Sequence, residues 1–295
     1  MHKTLFSPAK INLGLSIVGR REDGFHLLES LFWPITFGDT IEVTPGTGRV
    51  HLTWAKDSLY NESALPGEED NIVTKVLRTL PKLELNYDIN IKKRIPLGGG
   101  MGGGSSNIGT LLRHLHNQSR LSVEDLPAWS CQFGADIPFF LSSSPAWVTG
   151  VGEKVRPLRL LSEELKTLHF LILLFPFGCE TKQVFRAYQQ SNPKFSPRSL
   201  PFKNDSLSRE ILLRYLKEAK NDLESVVSTL YPNIGLALEK LRKSQAIYAG
   251  LSGSGSTCYA VFDSMEILKK TTQELHSFFR TYNCKSILAE TFLPK

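Results

Sequence analysis

Cysteine is scarce in this 295-residue sequence: Cys131, Cys179, Cys258 and Cys284 stand far apart. No two form a Cys-x-x-Cys pair and none is interleaved with histidine at metal spacing, which excludes a disulfide-framed miniature domain and a zinc module. Reduced thiols in a cytoplasmic protein are the expectation. Long apolar runs are missing as well. The longest, Phe170 to Phe175, has the length of a strand rather than a membrane span. The apolar stretch near the N-terminus is broken by Lys10 and Asn12, so no secretion signal is expected. Charge is not massed in an arm: 35 lysines and arginines against 29 acidic residues give a net +6 spread along the chain. A nucleic-acid or membrane partner is therefore not expected, and a small polyanion accounts for the basic balance equally well. No Gly-Lys-Ser/Thr, His-Arg-Asp or Asp-Phe-Gly occurs, which excludes P-loop NTPases and protein kinases. Repeats and low-complexity tails are absent. Oligomeric state leaves no mark on the sequence.

Glycine, by contrast, is concentrated. Six of the seven positions from Gly98 to Gly104 are glycine, interrupted only by Met101, with Pro96-Leu97 before them and Ser105-Ser106-Asn107 after. Such a run forfeits backbone entropy and side-chain packing, a cost that persists where bare amides must approach a ligand closely. Tyr87 to Ile91 reads as a strand ahead of it. Ser106 to Leu115 carries helical spacing at Ile108, Leu111, Leu112 and Leu115, with Ser105 or Ser106 expected to cap the helix. Unpaired amides at a helix start make an anion cradle, and phosphate is the natural guest. A flexible linker would share the composition but not the flanking strand and helix. Gly98-x-Gly100-x-x-Gly103 also fits the dinucleotide fingerprint, with Glu124 downstream. That match is weak, because any glycine-dense run satisfies it.

Three other segments carry candidate chemistry. Ala9 to Leu15 alternates, so Lys10, Asn12 and Gly14 share one face; an edge strand with a solvated face is the plainer reading. Asp136 lies in Gly134-Ala135-Asp136-Ile137-Pro138, read as a fixed turn between a helix over 123–133 and a strand, where an aspartate can simply close an Asx-turn. Gly250 to Thr257 forms a second glycine-serine loop feeding the strand Cys258 to Phe262, and a tight hairpin would explain it. Elsewhere the patterns predict a turn at Arg20 to Gly24, strands at Thr40–Thr44, Val50–Trp54 and His169–Phe175, and a helix opened by Asp70-Asn71. Helices are also expected at Lys182–Gln190, Arg209–Lys217, Asp222–Leu230 and Asn233–Lys243, and a second half beginning around Val148 to Val155.

Taken together, Pro8-Ala9-Lys10-Ile11-Asn12-Leu13, Pro96-Leu97-Gly98 through Ser106, and Leu251-Ser252-Gly253-Ser254-Gly255 resemble, in the same order, the three signature motifs of the GHMP kinases. Within that superfamily, Ser7 to Leu13, Arg21-x-Asp23-Gly24-Phe25-His26, Gly134 to Pro138 and Gly150-Val151-Gly152-Glu153 resemble the members that phosphorylate a cytidine diphosphate-linked methylerythritol in the non-mevalonate isoprenoid pathway. The resemblance implies an α+β fold in two lobes: an ATP-binding lobe over residues 1–155, of the ribosomal-protein-S5-domain-2-like type, and a GHMP kinase lobe over 156–295 that completes the substrate site. It implies ATP as phosphoryl donor and Mg²⁺ as its companion, with Ser105 or Ser106 open as metal contacts.

Residue by residue, Lys10 and Asp136 match the catalytic pair, the lysine holding the carboxylate ionised so that it can accept the acceptor's proton. Pro96, Leu97, Gly98, Gly99, Gly100, Met101, Gly102, Gly103, Gly104, Ser105 and Ser106 match the phosphate loop, and Asn71 and Lys93 the adenine pocket. Asn12, Ala135 and Thr181 match positions facing the acceptor. Phe25, His26 and Phe185 match those that hold cytosine, with Phe25 standing where the family commonly has tyrosine. A GHMP kinase with a different small acceptor is the alternative, and a non-catalytic binding protein of the same fold a more distant one.

Overall fold

The computed structural model describes residues 2–61, 64–80, 87–118, 126–198, 202 and 204–294. Two long strands, β1 (Lys3–Arg20) and β2 (His26–Pro45), form an antiparallel hairpin closed by a turn at Arg21 to Phe25, one residue on from the Arg20 to Gly24 expected. Along its other edge β2 pairs with β4 (Tyr87–Lys93) and with β5 (Ala146–Gly150); β3 (Val50–Trp54) flanks β4, and β6 (Lys154–Pro157) flanks β5. Packed on this six-stranded sheet are α1 (Ile72–Thr79), α2 (Gly103–Asn117), α3 (Leu126–Ser130) and α4 (Ile137–Ser142). β5 and β6 belong to the first sheet, so the second half does not begin at Val148, and a lobe boundary at residue 155 would cut β6.

After the short β7 (Arg159–Leu160), β8 (His169–Leu174) begins a second sheet, and α5 (Thr181–Gln190) follows it. Next come β9 (Ser206–Leu207), paired with β7, then α6 (Arg209–Glu218), α7 (Glu224–Leu230) and α8 (Pro232–Arg242). β10 (Tyr248–Leu251), β11 (Cys258–Phe262), α9 (Met265–Glu274), α10 (His276–Thr281) and β12 (Lys285–Glu290) end the order. The second sheet runs β10-β11-β8-β12, antiparallel throughout.

The apolar run that reads as a strand becomes β8 at the centre of this sheet, buried on both faces. Its alternating residues feed two cores. Phe170, Ile172 and Leu174 join Ala9, Ile11, Leu13 and Trp33 from the first sheet, while Leu171 and Leu173 pack against α7 and α8. The sheets therefore share one hydrophobic seam, and β1 is not an edge strand with a wet face: Ala9 to Leu15 is buried on both sides. The chain beyond β12 crosses back to the first lobe. Trp33 Nε1 donates to Thr291 Oγ1 (3.0 Å), which in turn donates to the Leu165 carbonyl (3.0 Å). The Phe292 amide donates to the Pro34 carbonyl at 3.0 Å. Among the described residues no helix is long and apolar enough to cross a membrane.

Candidate active site

Between the lobes lies a cavity of about 800 Å³ lined by the glycine loop, the middle of β1, the β1–β2 turn, the start of α4 and one side of α5. The loop takes a left-handed backbone at every second residue: φ is +64° at Gly98, +72° at Gly100 and +70° at Gly102. Alternation of this kind curls successive amides into an anion-binding nest. At Gly100 a Cβ would lie 2.0 Å from the Ser252 carbonyl oxygen, and at Gly102 one would lie 2.7 Å from the Phe140 ring. Glycine is required at both on steric and dihedral grounds.

Every carbonyl from Gly98 to Gly102 is taken by protein. Gly98 accepts from the amides of Cys179 (2.9 Å) and Ser256 (3.3 Å), and Gly99 from that of Thr257 (3.3 Å). Gly100 accepts from Ser252 Oγ (2.9 Å), Met101 from the Lys10 amide (3.1 Å) and Gly102 from the Ser106 amide (2.8 Å). No amide from Gly98 to Ser105 has a protein acceptor among the described residues. Carbonyls anchored outward leave bare donors against the cavity, and the N-terminus of α2 adds its positive dipole end to them. α2 starts at Gly103 with left-handed Gly102 as its N-cap and no side-chain cap bond, so Ser105 and Ser106 lie inside the first turn rather than capping it. The second glycine loop is both the hairpin its composition suggests, between β10 and β11, and the clamp on the first loop.

Lys10 reaches the cavity from β1 with its side chain only 4% exposed. Its Nζ stands 3.6 Å from Asp136 Oδ2, donates to Asn12 Oδ1 at 2.6 Å and lies 4.3 Å from the Phe32 ring centroid. Burial pushes the Lys10 ammonium below the ordinary lysine value, and Asp136 opposes that shift through its charge and hydrogen bond. Asp136 precedes α4, a helix rather than the expected strand, because Pro138 sits in the first turn where its missing N–H costs nothing. The Asp136 carboxylate makes no capping bond, so the Asx-turn reading is set aside and the group faces Lys10. Asn12 is fixed on all sides: Nδ2 donates to Ser30 Oγ (2.9 Å), its amide donates to Ser252 Oγ (3.2 Å), and its carbonyl accepts from Tyr259 (2.5 Å).

At the other end of the cavity Phe25 is 62% exposed, while the His26 and Phe185 rings stack with centroids 5.1 Å apart and planes at 25°. Tyr188 meets His26 edge-on. Burial and the nearby Arg20 charge hold His26 below the ordinary histidine value, leaving a neutral imidazole with one donor and one acceptor at neutral pH. Thr181 Oγ1 lies 3.0 Å from Ser254 Oγ.

Lys10, Asn12, Phe25, His26, Pro96 to Ser105, Asp136, Thr181 and Phe185 thus line one cavity, and four expected residues do not. Asn71 is the N-cap of α1, accepting from the Val73 amide at 2.9 Å. Lys93 is buried against Asp39 and donates to Asn107 Oδ1 at 3.0 Å. Ser106 Oγ is fully buried, donates to the Pro8 carbonyl at 2.6 Å and lies 2.7 Å from Ser7 Oγ, so it is withdrawn from any metal. Ala135 faces the Gly152 turn. Of the helix expected over 123–133, Leu126–Ser130 is present, and residues 123–125, Glu124 among them, lie outside the described set. Sequence reasoning missed Lys182 and Arg186, which line the cavity from α5; their i,i+4 spacing after Thr181 was the available signal.

Two family models match, GHMP kinases N terminal domain over residues 71–144 and GHMP kinases C terminal over 206–280. A 4-diphosphocytidyl-2-C-methyl-D-erythritol kinase of Paracoccus denitrificans is 34% identical over 264 residues, 90% of this chain and 88% of that one. One from Polynucleobacter necessarius is 35% identical over 278 residues, 90% of this chain and 86% of that one. Among solved structures, a 4-(cytidine 5'-diphospho)-2C-methyl-D-erythritol kinase superposes with a TM-score of 0.74 at 27% identity, covering 98% of this chain and all of that one. The homoserine kinase of Cytophaga hutchinsonii, at 16% identity and a TM-score of 0.68, covers 99% of this chain and 95% of its own and shares the fold. A likeness that runs through both lobes and nearly the full length of both partners is that of a family member: the chain belongs to the 4-diphosphocytidyl-2-C-methyl-D-erythritol kinases, within the GHMP kinases.

Proposed function

We propose that this protein transfers the γ-phosphoryl group of ATP to the 2-hydroxyl of 4-diphosphocytidyl-2-C-methyl-D-erythritol by direct in-line displacement. The observation that carries the reading is the meeting of Lys10 and Asp136, 3.6 Å apart, on the wall of a cavity whose neighbouring wall is the amide-lined loop. The amides of Gly98 to Ser105 would cradle the triphosphate. The acceptor oxygen forms its bond to the γ-phosphorus as the β–γ bridging bond breaks and ADP leaves, and Asp136 takes the hydroxyl proton. Lys10 offsets the negative charge that gathers where carboxylate, alkoxide and phosphoryl group converge. Asn12, held by Ser30, Ser252 and Tyr259, keeps the Lys10 head in place without needing to move during the reaction. Most of the acceleration in such transfers comes from positioning and fixed charge.

Mg²⁺ fits the site in the manner usual for phosphoryl transfer. Among the described residues no group of three or more His, Cys, Asp or Glu side chains would hold an ion alone, but Mg²⁺ on a nucleotide takes few protein ligands beside phosphate oxygens and water. Ser105 is the residue that would touch it, and the ion would neutralise charge on the β- and γ-phosphates.

Phe25, His26 and Phe185 support a cytidine-bearing acceptor. The His26 and Phe185 rings already stack at 5.1 Å, so a base would pack against this pair and the exposed Phe25 rather than enter between the two rings, and the neutral imidazole offers it one donor and one acceptor. The test is direct. Purified protein is incubated with ATP, Mg²⁺ and the diphosphocytidyl acceptor, and phosphorus NMR reads the new monophosphate ester together with ADP. Turnover restricted to other alcohols, such as homoserine, would sink the acceptor assignment.

A further inference from the structure

One buried carboxylate holds both ends of the glycine loop and has no part in the chemistry above. Asp39 is fully buried in β2, opposite Ser7 of β1. A register shift in the β1–β2 ladder just before it, where Pro8 pairs with Gly38 but Ala9 with Ile35, leaves residues 36 and 37 unpaired. Asp39 Oδ1 accepts from the amides of Arg94 (2.7 Å) and Ile95 (2.9 Å), the residues that lead from β4 into the loop. Oδ2 accepts from Lys93 Nζ and from Asn107 Nδ2 (2.9 Å), the latter in the second turn of α2 where the loop ends. Asn107 also donates to Ser7 Oγ (2.9 Å), which ties the same cluster to β1 ahead of Lys10.

We infer that Asp39 is a positioning residue for nucleotide binding, setting the separation and tilt of the two ends between which the nest of loop amides is hung. A carboxylate suits this position because all four of its partners are donors. An amide there would turn its own N–H groups toward Lys93 or Asn107 and release one end. The carbonyls of Gly98 to Gly100 are anchored to the C-terminal lobe and those of Met101 and Gly102 to Lys10 and Ser106, so slack at either end alters the aim of the amides rather than the fold around them. This rests on the reading of the loop as the ATP phosphate site.

The experiment is steady-state kinetics on wild type and Asp39→Asn, varying ATP and the acceptor separately, with circular dichroism and melting curves on both. We expect KM for ATP to rise at least tenfold and KM for the acceptor to stay within twofold. A carboxylate that served stability alone would lower the melting temperature and the amount of active protein but leave KM for ATP within twofold, and that result overturns the inference. If Asp39→Asn does not fold, Asn107→Ala keeps the Asp39–Lys93 pair and cuts the ties of α2 to Asp39, Lys93 and Ser7. KM for ATP should then rise at least threefold, and an unchanged value is equally fatal. Wild-type protein that turns over no ATP refutes the ATP reading, and this inference with it; active wild type with an unmoved KM in the variant refutes this inference alone.

Discussion

Lys10, from the middle of the first strand, and Asp136, at the head of a helix formed much later in the chain, bring their charged groups within 3.6 Å of each other on one cavity wall. The lysine is almost wholly buried and the aspartate about a third exposed, so the pair has a dry side and a side open to the cavity.

Asp136→Asn should lower kcat by about 10²- to 10⁴-fold, the usual worth of a positioned general base. The far-ultraviolet circular dichroism should match wild type, because the change removes a charge and no apolar volume. A variant with wild-type kcat would take Asp136 out of proton transfer.

The same variant carries a pH signature. Burial lowers the Lys10 pKa and Asp136 raises it, so loss of the carboxylate lowers it further. Between a depressed folded value and the unfolded one, the unfolded chain holds more protons, and stability climbs with pH across that interval. In Asp136→Asn the climb should begin at lower pH than in wild type. Melting curves at stepped pH check this, and superimposable profiles would mean that the carboxylate does not act on the ammonium.

Gly100→Ala places a side chain where φ is +72° and the Ser252 carbonyl oxygen lies 2.0 Å from the new Cβ. The dihedral alone costs about 1–2 kcal/mol, and the clash forces the two glycine loops apart. Titration calorimetry with a non-hydrolysable ATP analogue should show affinity reduced tenfold or more. Wild-type affinity would contradict the tight apposition of the loops.

Phe185→Ala should weaken the acceptor by about 1–3 kcal/mol, the range for loss of one stacked base, with KM for ATP unchanged. Equal losses for both substrates would move Phe185 out of the base site and into general packing.

The glycine loop borrows its anchors: Cys179, Ser252, Ser256 and Thr257 of the C-terminal lobe bond the carbonyls of Gly98 to Gly100. A protein ending after Pro157 should therefore bind no nucleotide and show no cooperative melt, since it also loses the β8 half of the shared hydrophobic seam. Calorimetry and thermal scans of residues 1–157 decide the matter.

Much of the site was legible because its demands are written in single residues. A loop stripped of side chains, a lysine and asparagine two apart on a strand, and an aspartate ahead of Ile-Pro each announce themselves. Helix limits were readable too: Arg209–Lys217 was expected and Arg209–Glu218 is found. What failed depended on tertiary pairing. Ser105 and Ser106 look like caps until Gly102 adopts a left-handed backbone and starts the helix earlier. Lys93, which the resemblance matches to the adenine pocket, lies against Asp39, brought beside it by the β2–β4 ladder with Thr40 opposite Lys92. The elements α9, α10 and β12 beyond Phe262 went unread, because short half-exposed helices and an edge strand carry weak periodicity.

The crossing of residues 291 and 292 back onto Trp33 and Pro34 has a consequence for biosynthesis. On the ribosome the β1–β2 hairpin emerges early, yet the indole of Trp33 meets its hydroxyl partner only after β12 has left the exit tunnel. The nascent molecule waits with an open flank until then, and premature termination between Phe262 and Thr291 would strand an otherwise complete nucleotide pocket in a chain unable to fasten itself shut.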